Sequence, residues 1–233
     1  DKSNSIYLHC INVSALSVLI GVRMHMQERR IKNMAVGALL HDIGLIYLPI
    51  DIQNVNIDTC DASVLKEVKR HVIYGYSAVE KENWLPMAAK DIIVNHHERM
   101  DGTGYPFRLT GEKISLETKI VALCDEFDSL VYGHCRNKRK IRETMDYITS
   151  QAGLKFDFKV VQTFLASVAV YPIGTVVVLN TGEKGIVVRQ NRSLPTSPVI
   201  QLVQEMSQGM VPTGKEIDLT KNLTLIITDT VEM

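Results

Sequence analysis

Histidine and aspartate residues occur as neighbouring pairs at the ends of two apolar segments. His41-Asp42 lies in ALLHDIG, and His96-His97 lies in IVNHHE, shortly before a glycine-containing turn. Imidazole and carboxylate groups are common ligands of divalent transition metals, and imidazole also titrates near neutral pH. These pairs therefore predict metal coordination or acid-base chemistry at both places.

Three further ionisable residues interrupt apolar segments. His9 and His71 do so singly, and Asp125 follows the apolar stretch 121–124. Each alone is more typical of a hydrogen-bonded core residue. Together with the two pairs they make five histidines and two carboxylates, which are costly to bury unless cations compensate them. We therefore predict a metal site, and the set is large enough for two divalent ions that share a bridging carboxylate. This ligand chemistry favours iron, manganese, zinc or nickel over magnesium or calcium, and of these four metals we expect iron or manganese first.

The elements that must position these residues are predicted from hydrophobic periodicity. Residues 4–170 repeat apolar positions at three- and four-residue spacing, which is typical of helices. From Tyr171 onward the pattern changes to short β-branched runs bounded by Gly, Pro and Asn. We predict a mainly α fold, a helical bundle over residues 1–170 with a small C-terminal β module over 171–233. The predicted helices are 5–29, 33–43, 61–82, 85–97, 115–132, 140–151 and 157–170, and the predicted strands are 175–180, 185–190, 198–204 and 223–228.

Composition narrows the classes of partner and compartment. Lys and Arg number 26, equal to Asp and Glu, which argues against binding a nucleic acid polymer. The four cysteines have no CxxC spacing, so reduced thiols and a cytoplasmic location are expected. The uncharged stretches 6–22 and 160–182 are interrupted by polar residues or proline, and no membrane contact by this fragment is predicted. The abrupt start close before His9 predicts a fragment of a longer protein.

The stretch HHERMDGTGYP at 96–106, together with the other motifs in order, resembles the HD-GYP family of bacterial metal-dependent phosphohydrolases. The resemblance covers about residues 5–170 and implies an HD-type helical bundle. It also implies hydrolysis of cyclic di-GMP to pGpG, to GMP or to both, with that or a related nucleotide as ligand. A homodimer is the assembly to test. The implied metal ligands are His9, His41, Asp42, His71, His96, His97 and Asp125, with Asp42 bridging the ions and serving as the catalytic carboxylate.

The turn after the second histidine pair is a candidate rim of the site. Gly102 and Gly104 permit positive φ, and Pro106 fixes the exit of the chain. Gly104, Tyr105 and Pro106 are therefore predicted to contact substrate. Tyr105 would either meet a guanine face at the mouth of the site or pack within a purely structural loop, and the sequence leaves both open.

Two positions depart from the family pattern. Trinuclear members carry a glutamate one helical turn before the first histidine, where this chain has Ser5, so two ions rather than three are expected. The family usually has a lysine after HDIG that helps to hold substrate phosphate, and here that residue is Leu45.

The loop after Asp128 departs as well. In the family this loop supplies the other phosphate-binding cations, and the aligned positions in this chain are His134 and Asn137. Arg136 and Lys138, in the neighbouring basic run, are the predicted replacements as substrate contacts. His25 and His134 are predicted to be ordinary surface residues.

Two other functions remain open on these departures. The chain would be a phosphohydrolase acting on another nucleotide, or a module that binds cyclic di-GMP or a protein partner without turnover. The intact ligand set favours an enzyme, whereas the missing cations favour the alternatives. The sequence assigns no role to residues 171–233.

Overall fold

The computed structural model describes residues 2–52, 55–168, 170–191, 194–206 and 209–231, excluding the side chains of 2–5, 205, 206 and 209. The side chain of Ser5, on which the predicted number of ions depends, lies outside this description. The chain divides into two compact units, one of residues 1–139 and 143–163 and one of residues 140–142 and 164–233. Each unit is described by itself.

A helical bundle forms the first unit, as predicted, with different element boundaries. The predicted helix 61–82 is two helices, and the first connection lies at residues 24–27, several residues before its predicted place. Short 3-10 helices cover Ile43–Tyr47 and Gly111–Lys113. The α helices are α1 Lys2–Arg23, α2 Glu28–Leu40, α3 Ala62–Val68, α4 His71–Val79, α5 Met87–Asn95, α6 Leu116–Tyr132, α7 Ile141–Ser150 and α8 Phe158–Ser167.

Helix α6 is largely buried in the bundle, and its boundaries follow from local chemistry. Ser115 caps its N-terminus by accepting a hydrogen bond from the Thr118 amide at 3.2 Å. Gly133 ends the helix in the left-handed region, with φ of 77°. Most of the residues between are buried, since α6 packs against α1, α2 and α5. The helix therefore carries Asp125 into the middle of the unit.

Helix α1 brings His9 to the same region. The segment Ile6–Arg23 is apolar and long enough to span a membrane by length and composition alone, and 39% of it is buried within the protein. Val13 and Ile20 are fully buried, and α1 packs against α2 and α6. We interpret it as a core helix of the bundle.

The second unit contains a five-stranded antiparallel sheet with strand order β4-β3-β2-β1-β5. The prediction missed β4, whose sequence GMVPTGKEID contains Pro, Gly and charged residues and lacks a β-branched run. Its position at the edge of the sheet tolerates these residues. The last strand begins four residues later than predicted. The strands are β1 Val176–Leu179, β2 Lys184–Arg189, β3 Val199–Met206, β4 Gly209–Asp218 and β5 Ile227–Val231.

Candidate metal centre

Three histidines lie in one repeated arrangement at helix ends. The Nδ1 atoms of His41, His71 and His96 lie 2.7, 2.7 and 3.1 Å from the main-chain carbonyl oxygen three residues earlier. A carbonyl oxygen only accepts, so each Nδ1 carries the proton and donates it. In the neutral ring, Nε2 is then an unprotonated donor atom directed into the site, the state that metal ligation requires.

This arrangement accounts for the break in the predicted helix 61–82. His71 is the first residue of α4, and its side chain bonds the carbonyl of Val68, the last residue of α3. Gly44 lies against the same point, where a Cβ atom would overlap the His71 carbonyl and the Gly75 amide. The close approach of the turn after Asp42 to the start of α4 therefore requires glycine at this position.

The carboxylate of Asp42 lies between two groups of histidines. Its Oδ1 is 3.3 Å from Nε2 of His71 and 3.7 Å from Nε2 of His96, whereas its Oδ2 is 3.4 Å from Nε2 of His41. Burial alone would raise the pKa of Asp42, but the surrounding imidazoles, with His41 the strongest, hold it well below its usual range. Asp42 is thus an anionic carboxylate with nitrogen donors on both sides.

Asp125 is the second carboxylate of the cluster. Its Oδ1 is 3.2 Å from Nε2 of His9 and accepts a hydrogen bond from Ser129, and its Oδ2 is 3.6 Å from Nδ1 of His97. Burial raises the pKa of Asp125, but the hydrogen bond from His9 and the charge of nearby imidazoles lower it well below normal.

The pKa of His96 falls to about 3, because burial and the neighbouring His41 and His71 disfavour its protonation.

The donor atoms fit divalent cations. Nε2 of His71 is 3.3 Å from Nε2 of His96, and Nε2 of His9 is 3.2 Å from Nε2 of His41. Two nitrogen lone pairs at this separation repel unless a proton or a metal cation lies between them. Two nitrogens that bind one ion at about 2.1 Å in tetrahedral or octahedral geometry are themselves about 3.0–3.4 Å apart.

Donors within 4.8 Å of one another form three overlapping groups in the described part of the chain. All consist of imidazole nitrogens and carboxylate oxygens, the mixture preferred by first-row transition metals. The groups are Asp42 with His71, His96 and His97; His9 with His41 and Asp125; and His9 with Asp42 and His134.

The loop after His97 is tied to the site by the glutamate of the motif. The buried carboxylate of Glu98 accepts hydrogen bonds from the amides of Phe107 at 2.6 Å and Leu109 at 2.9 Å. A Cβ atom at Gly104 would overlap the backbone of Glu98 and its neighbours. Gly102 has positive φ, as predicted, but Gly104 does not, so steric space rather than positive φ requires glycine there.

A cavity of about 300 Å³ opens beside the metal ligands. Tyr105 and Arg136, two of the predicted substrate contacts, line it together with Leu45. Gly104 is buried within the loop, and Pro106 is half-buried. Lys138 is exposed and does not belong to the lining.

The structure brings together all seven predicted ligands and adds residues that sequence reasoning missed. His134 was predicted to be a surface residue, which is wrong: it is 9% exposed and Nε2 lies 3.4 Å from Oδ2 of Asp42. Asp128 is buried and its Oδ2 accepts a 2.7 Å hydrogen bond from Nδ1 of His9. Asp128 lies one turn after Asp125 on α6, and that spacing is the signal that could have identified it. His25 is exposed, as predicted.

Comparison with known proteins identifies the families that the chain resembles. Residues 2–160 match the HD domain family, and residues 176–233 match a KOW domain associated with the HD domain. The cyclic di-GMP phosphodiesterase PA4108 of Pseudomonas aeruginosa is 31% identical over 209 residues, 88% of this chain and 50% of the relative. The 3'3'-cGAMP-specific phosphodiesterase 2 of Vibrio cholerae is 34% identical over 54% of this chain and 24% of the relative.

A solved structure shares the helical fold. Bd1817, a HDG"Y"P protein from Bdellovibrio bacteriovorus, matches with a TM-score of 0.60 and 23% identity over 68% of this chain and 51% of that one. A helical bundle with clustered His and Asp donors defines a metal-binding domain, and this chain belongs to the HD domain family. Its similarity to curated cyclic di-GMP phosphodiesterases supports the predicted resemblance to the HD-GYP proteins within that family. It spans about half the length of the first curated relatives that it matches.

Proposed function

We propose that this chain hydrolyses a phosphodiester bond of a cyclic dinucleotide, with cyclic di-GMP opened to pGpG and then cut to GMP. The observation that carries the proposal is the Asp42 carboxylate, whose two oxygens face different histidines, His71 and His41. Divalent ions bound by such donors stabilise charge on a phosphoryl group and make water a better nucleophile near neutral pH. The chain's own residues hold those ions and orient the substrate.

We propose two ions, iron or manganese. Each side of Asp42 offers imidazole nitrogens and carboxylate oxygens, which suit these metals. Two of the three donor groups share His9, and its Nδ1 is engaged by Asp128. Only Nε2 of His9 is then available, and a single nitrogen binds one ion, which supports two ions rather than three.

Substrate phosphate needs positive charge in the cavity. Arg99 and Arg136 line it, but both bond the carboxylate of Glu126, at 2.9 and 3.1 Å, which offsets their charge. Lys69 also lines the cavity and forms no ion pair within the described part of the chain. We propose that Lys69 replaces the cation missing at Leu45, with one charged hydrogen bond contributing about 1.5–3 kcal/mol.

Tyr105 stacks on the candidate ligand His97, with ring centroids 4.7 Å apart and planes 25° apart. The ammonium of Lys69 lies 5.2 Å from the Tyr105 ring centroid. Since His97 covers one face of Tyr105, a guanine base would have to stack on the other face, and it would share the ring with the Lys69 ammonium. These contacts support a role for Tyr105 in positioning His97 as well as in meeting the nucleotide.

Binding without turnover is the second candidate function. Leu45 is buried in an apolar cluster with Ile52 and Val68, so its side chain offers a substrate phosphate only apolar contact. A weakened hold on the phosphate favours a receptor over an enzyme. Cytoplasmic location and a homodimer remain predictions under either function.

The test is product formation by protein loaded with manganese or with ferrous iron. Cyclic di-GMP and 3'3'-cGAMP are supplied separately, and linear products and mononucleotides are followed by chromatography. We expect pGpG and then GMP from cyclic di-GMP, with Asp42→Asn at least a thousandfold slower. Binding of either nucleotide without product would support the receptor, and neither binding nor product would refute both functions.

A matched control distinguishes the site from general effects of an Asp-to-Asn change. Asp61 is an exposed residue before α3 whose side chain makes no capping hydrogen bond. Asp61→Asn is expected to keep the activity of the unsubstituted protein. Lys69→Ala is expected to raise KM about tenfold or more with little change in kcat.

A further inference from the structure

His134 lies in the loop that follows α6. Helix α6 ends at Gly133, whose amide bonds the carbonyl of Ser129 at 3.0 Å in a left-handed turn. The turn reverses the chain, so the next residue returns to the end of the helix that holds Asp125 and Asp128. The side chain of His134 is consequently 9% exposed.

The His134 ring is aligned with the candidate ligands. It stacks on His9 with ring centroids 4.2 Å apart and planes 11° apart. Its Nε2 lies 3.4 Å from Oδ2 of Asp42, the same separation that Nε2 of His41 has from that oxygen. Two imidazoles at ligand distances from one carboxylate oxygen fit a shared ion, since neighbouring ligands of one ion lie about 3.0–3.4 Å apart.

We propose that His134 is a ligand of the ion on the His9 side of Asp42. This inference rests on the metal-dependent function proposed above. The group of His9, Asp42 and His134 and the group of His9, His41 and Asp125 use the same Nε2 of His9, so they describe one ion and not two. His134 thereby adds a nitrogen to that side, while His71, His96 and His97 serve the other.

A different role for His134 would be contact with the substrate, because it also lines the cavity. The two roles differ in what the side chain holds when no nucleotide is present. A ligand contributes to metal affinity in the nucleotide-free protein. A substrate contact changes nucleotide affinity and leaves metal affinity unaltered.

The experiment measures cobalt(II) binding without nucleotide, by visible absorption and by competition with a chelator. The unsubstituted protein, His134→Ala and His134→Asn are compared with His25→Asn, a change at an exposed histidine with φ of 55°, a conformation that asparagine tolerates. The unsubstituted protein and His25→Asn are expected to bind two ions. Both His134 variants are expected to keep one ion tightly and to bind the other at least tenfold more weakly.

Rescue by free imidazole provides a second measurement, which distinguishes loss of a ligand from misfolding of the variant. Added to His134→Ala, imidazole is expected to restore the absorption of the weakened ion, because it fills the missing ligand position. Retention of the first ion shows that the variant is folded. Two ions bound with unchanged affinity and spectrum in both His134 variants would overturn the inference and leave the proposed function intact. No ion bound by the unsubstituted protein would overturn both.

Discussion

Asp128 orients His9 by a hydrogen bond. Removing this carboxylate tests whether a residue that contacts a candidate ligand, and not the metal itself, affects the metal affinity of the centre. Oδ2 of Asp128 lies 2.7 Å from Nδ1 of His9, and the two side chains are 1% and 2% exposed. The hydrogen bond fixes the proton on Nδ1 and directs Nε2 toward Asp125, 3.2 Å away. In Asp128→Ala the buried Nδ1–H of His9 loses its acceptor.

The magnitude follows from the chemistry of that bond. A hydrogen bond to a charged group contributes about 1.5–3 kcal/mol, which corresponds to about 10–150-fold in affinity. Carboxylates behind metal-bound histidines typically change metal affinity about 10–100-fold. We expect Asp128→Ala to weaken the ion on the His9 side within this range and to leave the ion held by His71 and His96 unchanged.

Asp128→Asn is the matched variant, because it keeps an acceptor oxygen and loses the negative charge. Its metal affinity is expected to fall less than that of Asp128→Ala. The assay is chelator competition with manganese or cobalt, accompanied by thermal unfolding of the metal-free proteins and with Asp61→Asn as the control. Unchanged affinity for both ions in Asp128→Ala would refute the reasoning.

Three further predictions concern the loop, its glycine and the protons of the site. Glu98→Gln leaves one carbonyl oxygen for the amides of Phe107 and Leu109, so the stability of the loop falls by about 1–3 kcal/mol. We expect KM for the nucleotide to rise while the metal content stays constant. An unchanged KM would contradict this prediction. Gly104→Ala places a methyl group against the backbone of residues 97–99 and lowers the free energy of unfolding by more than about 1 kcal/mol. Urea denaturation measures this difference, and equal unfolding midpoints for the two proteins would exclude it. Although burial alone lowers it, Asp125 and Asp128 raise the pKa of His9 to about 9, so metal binding must displace its proton. Metal affinity therefore rises as pH goes from 7 to 9, with proton release detected by calorimetry in buffers of different ionisation enthalpy; equal heats would refute it.

The bundle and several of the candidate ligands left local signals in the sequence, and the resemblance to a known family completed the set of seven residues that the structure brings together. Apolar periodicity predicted the helices. His41, Asp42 and Asp125 attracted attention because they are ionisable residues within apolar segments. The break before His71 had no such signal. It arises where a histidine side chain bonds the carbonyl of Val68 and where Gly44 approaches from another segment, so it depends on contacts between residues distant in the chain.

His134 shows why the remaining part of the site was missed. In the sequence it is a single histidine in a polar loop before a basic run, a pattern typical of an exposed residue. Its burial depends on the left-handed turn at Gly133 and on the position of His9, which comes from a helix more than a hundred residues earlier. Lys69 was missed for a related reason, because its place in the cavity follows from the end of α3 and not from a motif.

The metal ligands and the substrate contacts of this chain have separate physical requirements. The ligands need buried lone pairs that converge on Asp42, and the described residues provide them on both sides of that carboxylate. The substrate needs uncompensated positive charge, but the two arginines that line the cavity, Arg99 and Arg136, already pair with Glu126. A change at the ligands should therefore alter kcat and metal content together, whereas a change at Lys69 should act mainly on KM. The position where the resemblance places a phosphate-binding cation holds His134, which faces Asp42 instead. On our proposal, a substrate contact has been exchanged there for a metal ligand, and nucleotide affinity, more than the metal centre, limits the activity of this protein.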